Sequence, residues 1–290
     1  MTEDDQQTPD DASSRDDQQD GDHNIRVRDT GGDGRPVVLI HGWPLSAESW
    51  SEQIPALTDA GYRVVAYDRR GFGSSDPGDS YDYDALSGDL DNVINDLDLS
   101  DVTLVGFSMG GGEVARYASK YGQDRLRSVV FAAAVPPYLA QSDDNPDGPL
   151  TKDAAEGMLE GLKSDRDAFF DEFLTAFFTA GDDLKVTEEQ RQEALGLAKQ
   201  SNQEAAVGCM QAFGTTDFRG DLKKITVPTL VIHGDSDGTV PFEGSGQRTH
   251  EAIEGSELVV VEGAPHGLNV SHADEFNRAL LAFLEDPAGD

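Results

Sequence analysis

Short runs of apolar residues recur along the chain and predict the strands of a buried sheet. An alternating segment at 25–29 comes first, and a glycine-rich turn at 31–34 follows it. Continuous apolar runs are typical of strands that are covered on both faces. Six such runs follow, at 37–40, 64–67, 102–107, 128–132, 229–233 and 258–261.

Helical periodicity occupies most of the intervals between these runs. Apolar residues three or four positions apart form one stripe on one face of a helix. Strands that alternate with such helices predict βαβ crossovers, and hence an α/β fold with a mainly parallel sheet flanked by helices. The stripes are clearest at Leu86, Leu90, Val93, Ile94 and Leu97, and at Phe276, Leu280, Phe283 and Leu284.

Residues 136–218 interrupt the alternation, because only helical periodicity occurs there. An insertion of this size between two strands predicts a helical cap on a core formed by residues 23–135 and 219–290. The cap contains a stripe of phenylalanines, and such stripes serve packing more often than ligand contact. We therefore interpret them as cap core in preference to a substrate wall. They are Phe169, Phe170, Phe173, Phe177 and Phe178.

Residues 1–22 differ from the rest of the chain in composition. They contain nine acidic side chains, one arginine and almost no apolar side chains. Such a segment cannot bury enough apolar surface to offset the entropy lost on ordering. We therefore predict a disordered acidic tail.

The whole chain is strongly acidic. Its 290 residues include 56 Asp and Glu against 22 Lys and Arg, for a formal net charge of −34. This charge disfavours nucleic acid and anionic membranes as partners. Repulsion among the carboxylates destabilises the compact state in dilute buffer, whereas ~1 M salt shortens the Debye length to ~3 Å. The composition therefore favours a halophilic cytoplasm over an ordinary acidic protein.

Cysteine content and hydropathy indicate the compartment. Cys209 is the single cysteine, so the chain forms no intrachain disulfide. The N-terminus is acidic where a secretory signal is basic and then apolar. The longest apolar stretch, 129–140, contains two prolines and is shorter than the ~20 residues of a membrane helix. We expect a cytoplasmic protein that acts on a small molecule; whether it forms a homo-oligomer stays open.

A G-x-S-x-G motif at 106–110 is the strongest chemical signal. It follows the apolar run 102–105 and precedes a segment with helical periodicity, which is the context of a nucleophile elbow. The tight turn leaves no room for side chains at the two glycines, and the helix start directs backbone N–H groups at a developing oxyanion. We therefore predict that Ser108 is a nucleophile.

A serine hydroxyl is a weak nucleophile and needs a base. In folds with a nucleophile elbow, the order along the chain is the serine, then an acid, then the histidine base. His266 fits, because it lies in a loop just after the run 258–261, where the strand end places it above the sheet. The other histidines are weaker candidates for the base, and His272 is the reserve candidate. His41 and His233 each precede a glycine at a strand end, so we interpret them as structural. His250 has helical surroundings, and His23 lies in the tail.

The acid is expected in the loop after the run 229–233, which contains Asp235 and Asp237. Hydrolases of this fold usually have the loop pattern G-x-x-D-x-x-V-P, which favours Asp237 and leaves Asp235 as a turn carboxylate. Asp237 would fix the tautomer of the base and stabilise its imidazolium. Backbone N–H groups of Met109 and Trp43 are predicted to form the oxyanion hole. This chemistry needs no cofactor and no metal, and we predict none.

Four motifs occur in order along the chain: His41-Gly42-Trp43-Pro44-Leu45, Asp68-Arg69-Arg70-Gly71-Phe72-Gly73, Gly106-Phe107-Ser108-Met109-Gly110 with Gly112-Glu113-Val114-Ala115-Arg116-Tyr117, and Glu262-Gly263-Ala264-Pro265-His266-Gly267. Together they resemble the cofactor-free haloperoxidases of the α/β-hydrolase fold, also called non-haem chloroperoxidases or perhydrolases. The resemblance covers about residues 24 to 285.

This resemblance implies a reaction. In that family a Ser-His-Asp triad forms an acyl-enzyme from a short carboxylic acid or ester; water then gives hydrolysis, and hydrogen peroxide gives a peracid that oxidises halide. Carried over by position, the triad is Ser108, His266 and Asp237, and the amides of Trp43 and Met109 form the oxyanion hole. The chain departs from the family in three places: residues 11–19 do not match its first strand, and Gly111 and Gly238 stand where Thr and Arg are common.

Three other functions occur on this fold. Ser108 excludes an aspartate-nucleophile dehalogenase or epoxide hydrolase, because those enzymes need a carboxylate at the elbow. A lactonase or a carbon-carbon bond hydrolase stays open, since both share the triad and differ in the cap. A non-catalytic binding protein is disfavoured, because such proteins usually lack a triad residue.

Overall fold

The structure is a computed structural model that describes residues 24–287. Nine strands occur in this part of the chain: β1 (Val27–Asp29), β2 (Pro36–Ile40), β3 (Arg63–Tyr67), β4 (Val102–Phe107), β5 (Leu126–Ala132), β6 (Thr179–Ala180), β7 (Asp183–Leu184), β8 (Thr229–Gly234) and β9 (Glu257–Val261).

Seven of these strands form the central sheet, in the order β1-β3-β2-β4-β5-β8-β9. The β1 strand is antiparallel to β3, and the other neighbouring pairs are parallel. The predicted α/β fold with a mainly parallel sheet is therefore confirmed. The β4 and β8 strands are buried along their whole length, as the continuous apolar runs predict. The β9 strand lies at the sheet edge and is partly exposed, because it has a neighbour on one side only.

Eleven α-helices are present in residues 24–287: α1 (Gln53–Asp59), α2 (Tyr83–Asp96), α3 (Met109–Lys120), α4 (Lys152–Ser164), α5 (Arg166–Phe177), α6 (Glu188–Gln200), α7 (Gln203–Thr215), α8 (Arg219–Leu222), α9 (Gly246–Ala252), α10 (Leu268–Ser271) and α11 (Ala273–Glu285). The apolar stripes predicted from sequence are buried faces of two of them: α2 buries Leu86, Leu90, Val93 and Ile94, and α11 buries Phe276, Leu280, Phe283 and Leu284. The predicted stripe member Leu97 lies just after the end of α2.

The chain between β5 and β8 forms helices α4 to α8 and a hairpin of β6 and β7, and α8 lies after residue 218. The hairpin strands have two residues each, which is too short for an alternating pattern to predict them. We keep residues 136–218 as a proposed cap on a core of residues 23–135 and 219–290.

The predicted tail at 1–22 and the unmatched segment at 11–19 lie outside the described residues. Within residues 24–287 the sheet begins with β1, and no helix there is long and apolar enough to cross a bilayer.

Parallel strands determine where the predicted site residues meet. The carboxyl ends of β2, β4, β8 and β9 lie at one edge of the sheet, since these strands run in the same direction. The loops that follow them contain Trp43, Ser108, Asp237 and His266. Ligands of open α/β sheets bind at this edge.

Candidate active site

Ser108 occupies the sharp turn between β4 and α3. Its backbone has φ 53° and ψ −118°, in a region that residues with side chains rarely adopt. A Cβ at Gly106 would lie 2.5 Å from the carbonyl oxygen of Gly110, and a Cβ at Gly110 would lie 2.5 Å from that of Ile40. The two motif glycines are therefore required by close backbone contacts, as the sequence predicts.

Ser108, His266 and Asp237 form one chain of hydrogen bonds. Oγ of Ser108 lies 2.9 Å from Nε2 of His266, and Nδ1 of His266 lies 2.7 Å from Oδ2 of Asp237. All three residues are buried. The structure thus brings together the three residues that the sequence predicts, although they are separated by up to 158 positions along the chain.

Asp237 is held as a carboxylate. Its Oδ1 accepts hydrogen bonds from the backbone N–H groups of Thr239 and Val240, at 2.9 and 2.7 Å. Burial alone would raise the pKa of Asp237, but the charge of His266 and hydrogen bonds from His233 and His266 outweigh it and hold the pKa well below its ordinary value. The carboxylate is therefore ionised wherever the enzyme is folded near neutral pH.

Asp235 occupies a different environment in the same loop. Its side chain is exposed, and Oδ1 accepts a hydrogen bond from the backbone N–H of Gly263 at 2.7 Å. This arrangement is the turn carboxylate that the sequence predicts. The reserve candidate His272 lies at the start of α11 and contacts Ser271, not Ser108.

The two predicted oxyanion donors lie beside Ser108. Met109 is the first residue of α3, so its N–H has no acceptor within the helix. The loop of Trp43 passes close to the nucleophile, since a Cβ at Gly42 would lie 3.1 Å from Cβ of Ser108. The peptide bond between Trp43 and Pro44 is cis.

The indole of Trp43 joins this loop to the proposed cap. Its Nε1 donates a hydrogen bond to the carbonyl oxygen of Ala206 in α7, at 3.0 Å. The ring packs edge to face against four phenylalanines of the proposed cap, at centroid distances of 5.1 to 6.2 Å. They are Phe169, Phe170, Phe173 and Phe213.

A cavity of about 120 Å³ opens beside Ser108. Its lining contains no charged side chain, and Gly238 lies in its wall where the resembled family often has Arg. Phe173 is also part of the wall, whereas Phe170, Phe177 and Phe178 are fully buried. The phenylalanine stripe is therefore mainly buried within the proposed cap, with Phe173 as its contribution to the cavity, and Phe177 also packs edge to face on the imidazole of His266.

A buried ion pair stabilises the start of the Trp43 loop through contacts with His41. The sequence patterns do not predict this pair. Arg69 forms an ion pair with Glu113 of α3, and it donates hydrogen bonds to His41, from a guanidinium nitrogen to the carbonyl oxygen and from the backbone N–H to Nε2. Burial and the charge of Arg69 hold the pKa of His41 well below its ordinary value. His41 therefore has the structural role predicted for it.

Gly111 is explained by its packing. A Cβ at this position would meet Cβ of Ala134, just after β5. The threonine common in the resembled family would therefore not fit here without a shift of the backbone. No group of three or more His, Cys, Asp or Glu in residues 24–287 is placed to hold a metal ion.

Comparison with known proteins agrees with the observed fold. The family model described as the alpha/beta hydrolase fold matches residues 35–273. The chain belongs to the α/β-hydrolase family. It is 46% identical over 257 residues to the non-heme chloroperoxidase CPO-A1 of Kitasatospora aureofaciens, a match that covers 87% of this chain and 93% of that one.

Two further relatives of this α/β-hydrolase are informative. The bifunctional esterase/perhydrolase DCH of Acinetobacter calcoaceticus is 37% identical over 269 residues, covering 90% of this chain and 95% of that one. The crystal structure of a bromoperoxidase from Bacillus anthracis is 55% identical, with a TM-score of 0.89 over 90% of this chain and 95% of that one. The chain is thus an enzyme of this family, similar to its non-heme haloperoxidases.

Proposed function

We propose that this α/β-hydrolase is a serine esterase that also performs perhydrolysis. The observation that supports it most directly is the continuous hydrogen-bond chain from Ser108 through His266 to Asp237. A neutral imidazole that receives a hydrogen bond at Nε2 and donates one from Nδ1 is arranged to accept the serine proton.

The proposed reaction has two halves. Oγ of Ser108 attacks the ester carbonyl carbon as its proton passes to Nε2 of His266, and the amides of Trp43 and Met109 stabilise the oxyanion. The alcohol leaves with that proton, and an acyl-enzyme remains. Water or hydrogen peroxide then attacks the acyl carbon and gives its proton to His266, which returns it to Ser108. The product is a carboxylic acid or a peracid.

The cavity indicates an uncharged, small acyl group. Its volume is about 120 Å³ and its lining is mainly apolar. No cationic side chain lines it to neutralise a carboxylate, and the net charge of −34 disfavours anionic substrates further. Short neutral esters therefore fit the site better than carboxylated ones.

Replacing Ser108 with alanine tests the nucleophile. We expect Ser108→Ala to lose p-nitrophenyl acetate hydrolysis and labelling by a fluorophosphonate probe, because no acyl-enzyme forms without the hydroxyl. Ser236→Ala is a matched control, since this serine lies in the Asp237 loop and its hydroxyl donates a hydrogen bond to Asp235. Full labelling of Ser108→Ala would show that the nucleophile is elsewhere.

Perhydrolysis is supported by the relatives named as chloroperoxidases and as an esterase/perhydrolase. Acetate, hydrogen peroxide and bromide should brominate monochlorodimedone in the presence of the wild-type enzyme and not of Ser108→Ala. An enzyme that hydrolyses esters but forms no peracid would be an esterase only.

We also propose that the enzyme works in a salt-rich cytoplasm. The excess of 56 acidic over 22 basic side chains supports this, because screening by concentrated salt offsets their repulsion. The single cysteine, Cys209, is buried and is consistent with a reducing compartment.

A further inference from the structure

A second histidine contacts the carboxylate of Asp237. Nε2 of His233 lies 3.2 Å from Oδ2 of Asp237, the same oxygen that receives the hydrogen bond from His266. Nε2 also lies 2.9 Å from the carbonyl oxygen of Val240. His233 is completely buried at the end of β8, four residues before Asp237.

These contacts determine the tautomer of His233. Nε2 faces two oxygen acceptors, a carboxylate and a carbonyl, so it has to carry the proton. Nδ1 has no hydrogen-bond partner among the described residues, and it packs so tightly on Gly246 that a Cβ there would meet it. A proton on Nδ1 would be a buried donor without an acceptor among the described residues, so the contacts favour the tautomer with the proton on Nε2. His233 thus directs one N–H at two acceptors, the carbonyl oxygen of Val240 at 2.9 Å and Oδ2 of Asp237 at 3.2 Å.

Both oxygens of the Asp237 carboxylate then face hydrogen-bond donors. Oδ1 is fixed by two backbone N–H groups of its own loop, and Oδ2 is shared between His266 and His233. Without His233, Oδ2 would have one donor in a buried site and would be free to shift relative to the imidazole of His266. A small displacement of a catalytic group reduces the rate strongly.

We propose that His233 is a positioning residue of the reaction, which fixes the Asp237 carboxylate and through it the orientation and basicity of His266. This inference rests on the proposed function. The titratable groups in contact with Asp237 in the described residues are His266 and His233. Around His233 the packing groups are Phe242 and Gly246, which carry no charge.

The direction of the effect on His266 follows from charge sharing. A donor on Oδ2 withdraws negative charge from the oxygen that faces His266, so it makes the imidazolium less favourable. Its removal should move the acidic limb of the kcat/KM profile to higher pH, because this limb reports the protonation of the general base. A residue that only supports the loop would not move this limb.

Three variants separate these roles. His233→Gln retains an N–H donor at the place of Nε2, whereas His233→Leu removes this donor. His250→Leu is the control, since His250 lies in α9 and bonds to Ser256. With p-nitrophenyl acetate in high-salt buffer, we expect His233→Leu to lower kcat about ten- to a hundredfold with KM changed by less than about twofold. His233→Gln should recover most of kcat and the wild-type limb, and His250→Leu should match wild type.

A second readout does not depend on turnover. The downfield proton resonance of Nδ1 of His266 should shift in His233→Leu and return in His233→Gln. If His233→Leu fails to fold by circular dichroism, His233→Asn replaces it, because its shorter amide does not reach Oδ2.

The outcomes are distinct. A lower melting temperature with unchanged kcat, pH limb and resonance in the donor-free variant would overturn the positioning role and leave the esterase intact. Equal kcat in His233→Gln and His233→Asn would overturn it too. A wild-type enzyme without esterase activity or probe labelling would instead refute the proposed function, and this inference with it.

Discussion

At the scale of the residue, Asp235 and Asp237 share one loop but differ in their contacts. Asp237 is buried and bonded to the imidazole of His266, whereas Asp235 is exposed and bonds to the backbone N–H of Gly263. Only the first contact reaches a group that transfers a proton in the proposed reaction. The two carboxylates should therefore respond very differently to the same isosteric change.

The prediction for this pair is a large difference in rate. Asp237→Asn should lower kcat about a thousandfold or more, because the amide favours the wrong tautomer of His266. Asp235→Asn should stay within about twofold of wild type, since it keeps its acceptor oxygen and lies on the surface. Steady-state kinetics with p-nitrophenyl acetate measures both. The reverse ranking would mean that Asp235 is the acid.

Local motifs predict the three residues of the hydrogen-bond chain but not the groups that support them. Ser108 lies in the glycine pattern of a tight turn, and Asp237 lies in the loop pattern that follows a strand end. Both patterns involve only residues that are close together along the chain. The pair of Arg69 and Glu113 joins residues 44 positions apart, so no local pattern marks it. The contact of His233 with Asp237 depends on how the loop curves back, although the spacing of four residues in H-G-x-x-D is a usable signal.

At the scale of the element, sequence predicts the sheet better than the proposed cap. The β2, β4, β5 and β8 strands are almost entirely buried, so each contains a run of mainly apolar residues. The helices α4 to α7 also have local start signals, because each begins after a side-chain N-cap. The packing of α5 and α7 on Trp43 is a tertiary property, which periodicity does not specify.

Phe170 and Phe173 of α5 are expected to have different roles, Phe170 in packing and Phe173 in substrate contact. Phe170 is fully buried, so Phe170→Ala should lower the free energy of unfolding by about 3–5 kcal/mol. Phe173 is partly exposed to the cavity, so Phe173→Ala should cost less stability and raise kcat/KM for longer acyl esters relative to acetate. Denaturant unfolding and an acyl-chain series measure the two effects. If Phe170→Ala changed acyl preference as much as Phe173→Ala, the division would be wrong.

At the scale of the whole molecule, the most unusual property of the chain is its formal net charge of −34. Many arginines form ion pairs, yet exposed pairs contribute little and acidic residues outnumber basic ones more than twofold. Stability of a domain is typically ~5–15 kcal/mol, which unscreened repulsion can exceed. Folding is therefore expected to depend on the ionic strength of the solvent.

We predict that structure is lost when KCl falls well below ~1 M. Cys209 reports this transition, because it is fully buried and burial raises the pKa of its thiol to about 12. Its reaction with a thiol reagent at pH 8 should begin at the salt concentration where circular dichroism changes. Full ellipticity and an unreactive thiol at ~0.1 M KCl would contradict the salt proposal.

The position of Trp43 gives the enzyme a built-in optical probe. The chain has two tryptophans, and Trp50 is buried against Phe107 and Phe276 in the core. Trp43 instead lies in the wall of the cavity, with its indole N–H bonded to α7. Acylation of Ser108 should change the surroundings of Trp43, which lines the same cavity, more than those of Trp50, which does not line it. Emission recorded on a stopped-flow instrument in Trp50→Phe would therefore follow single turnovers without a chromogenic substrate.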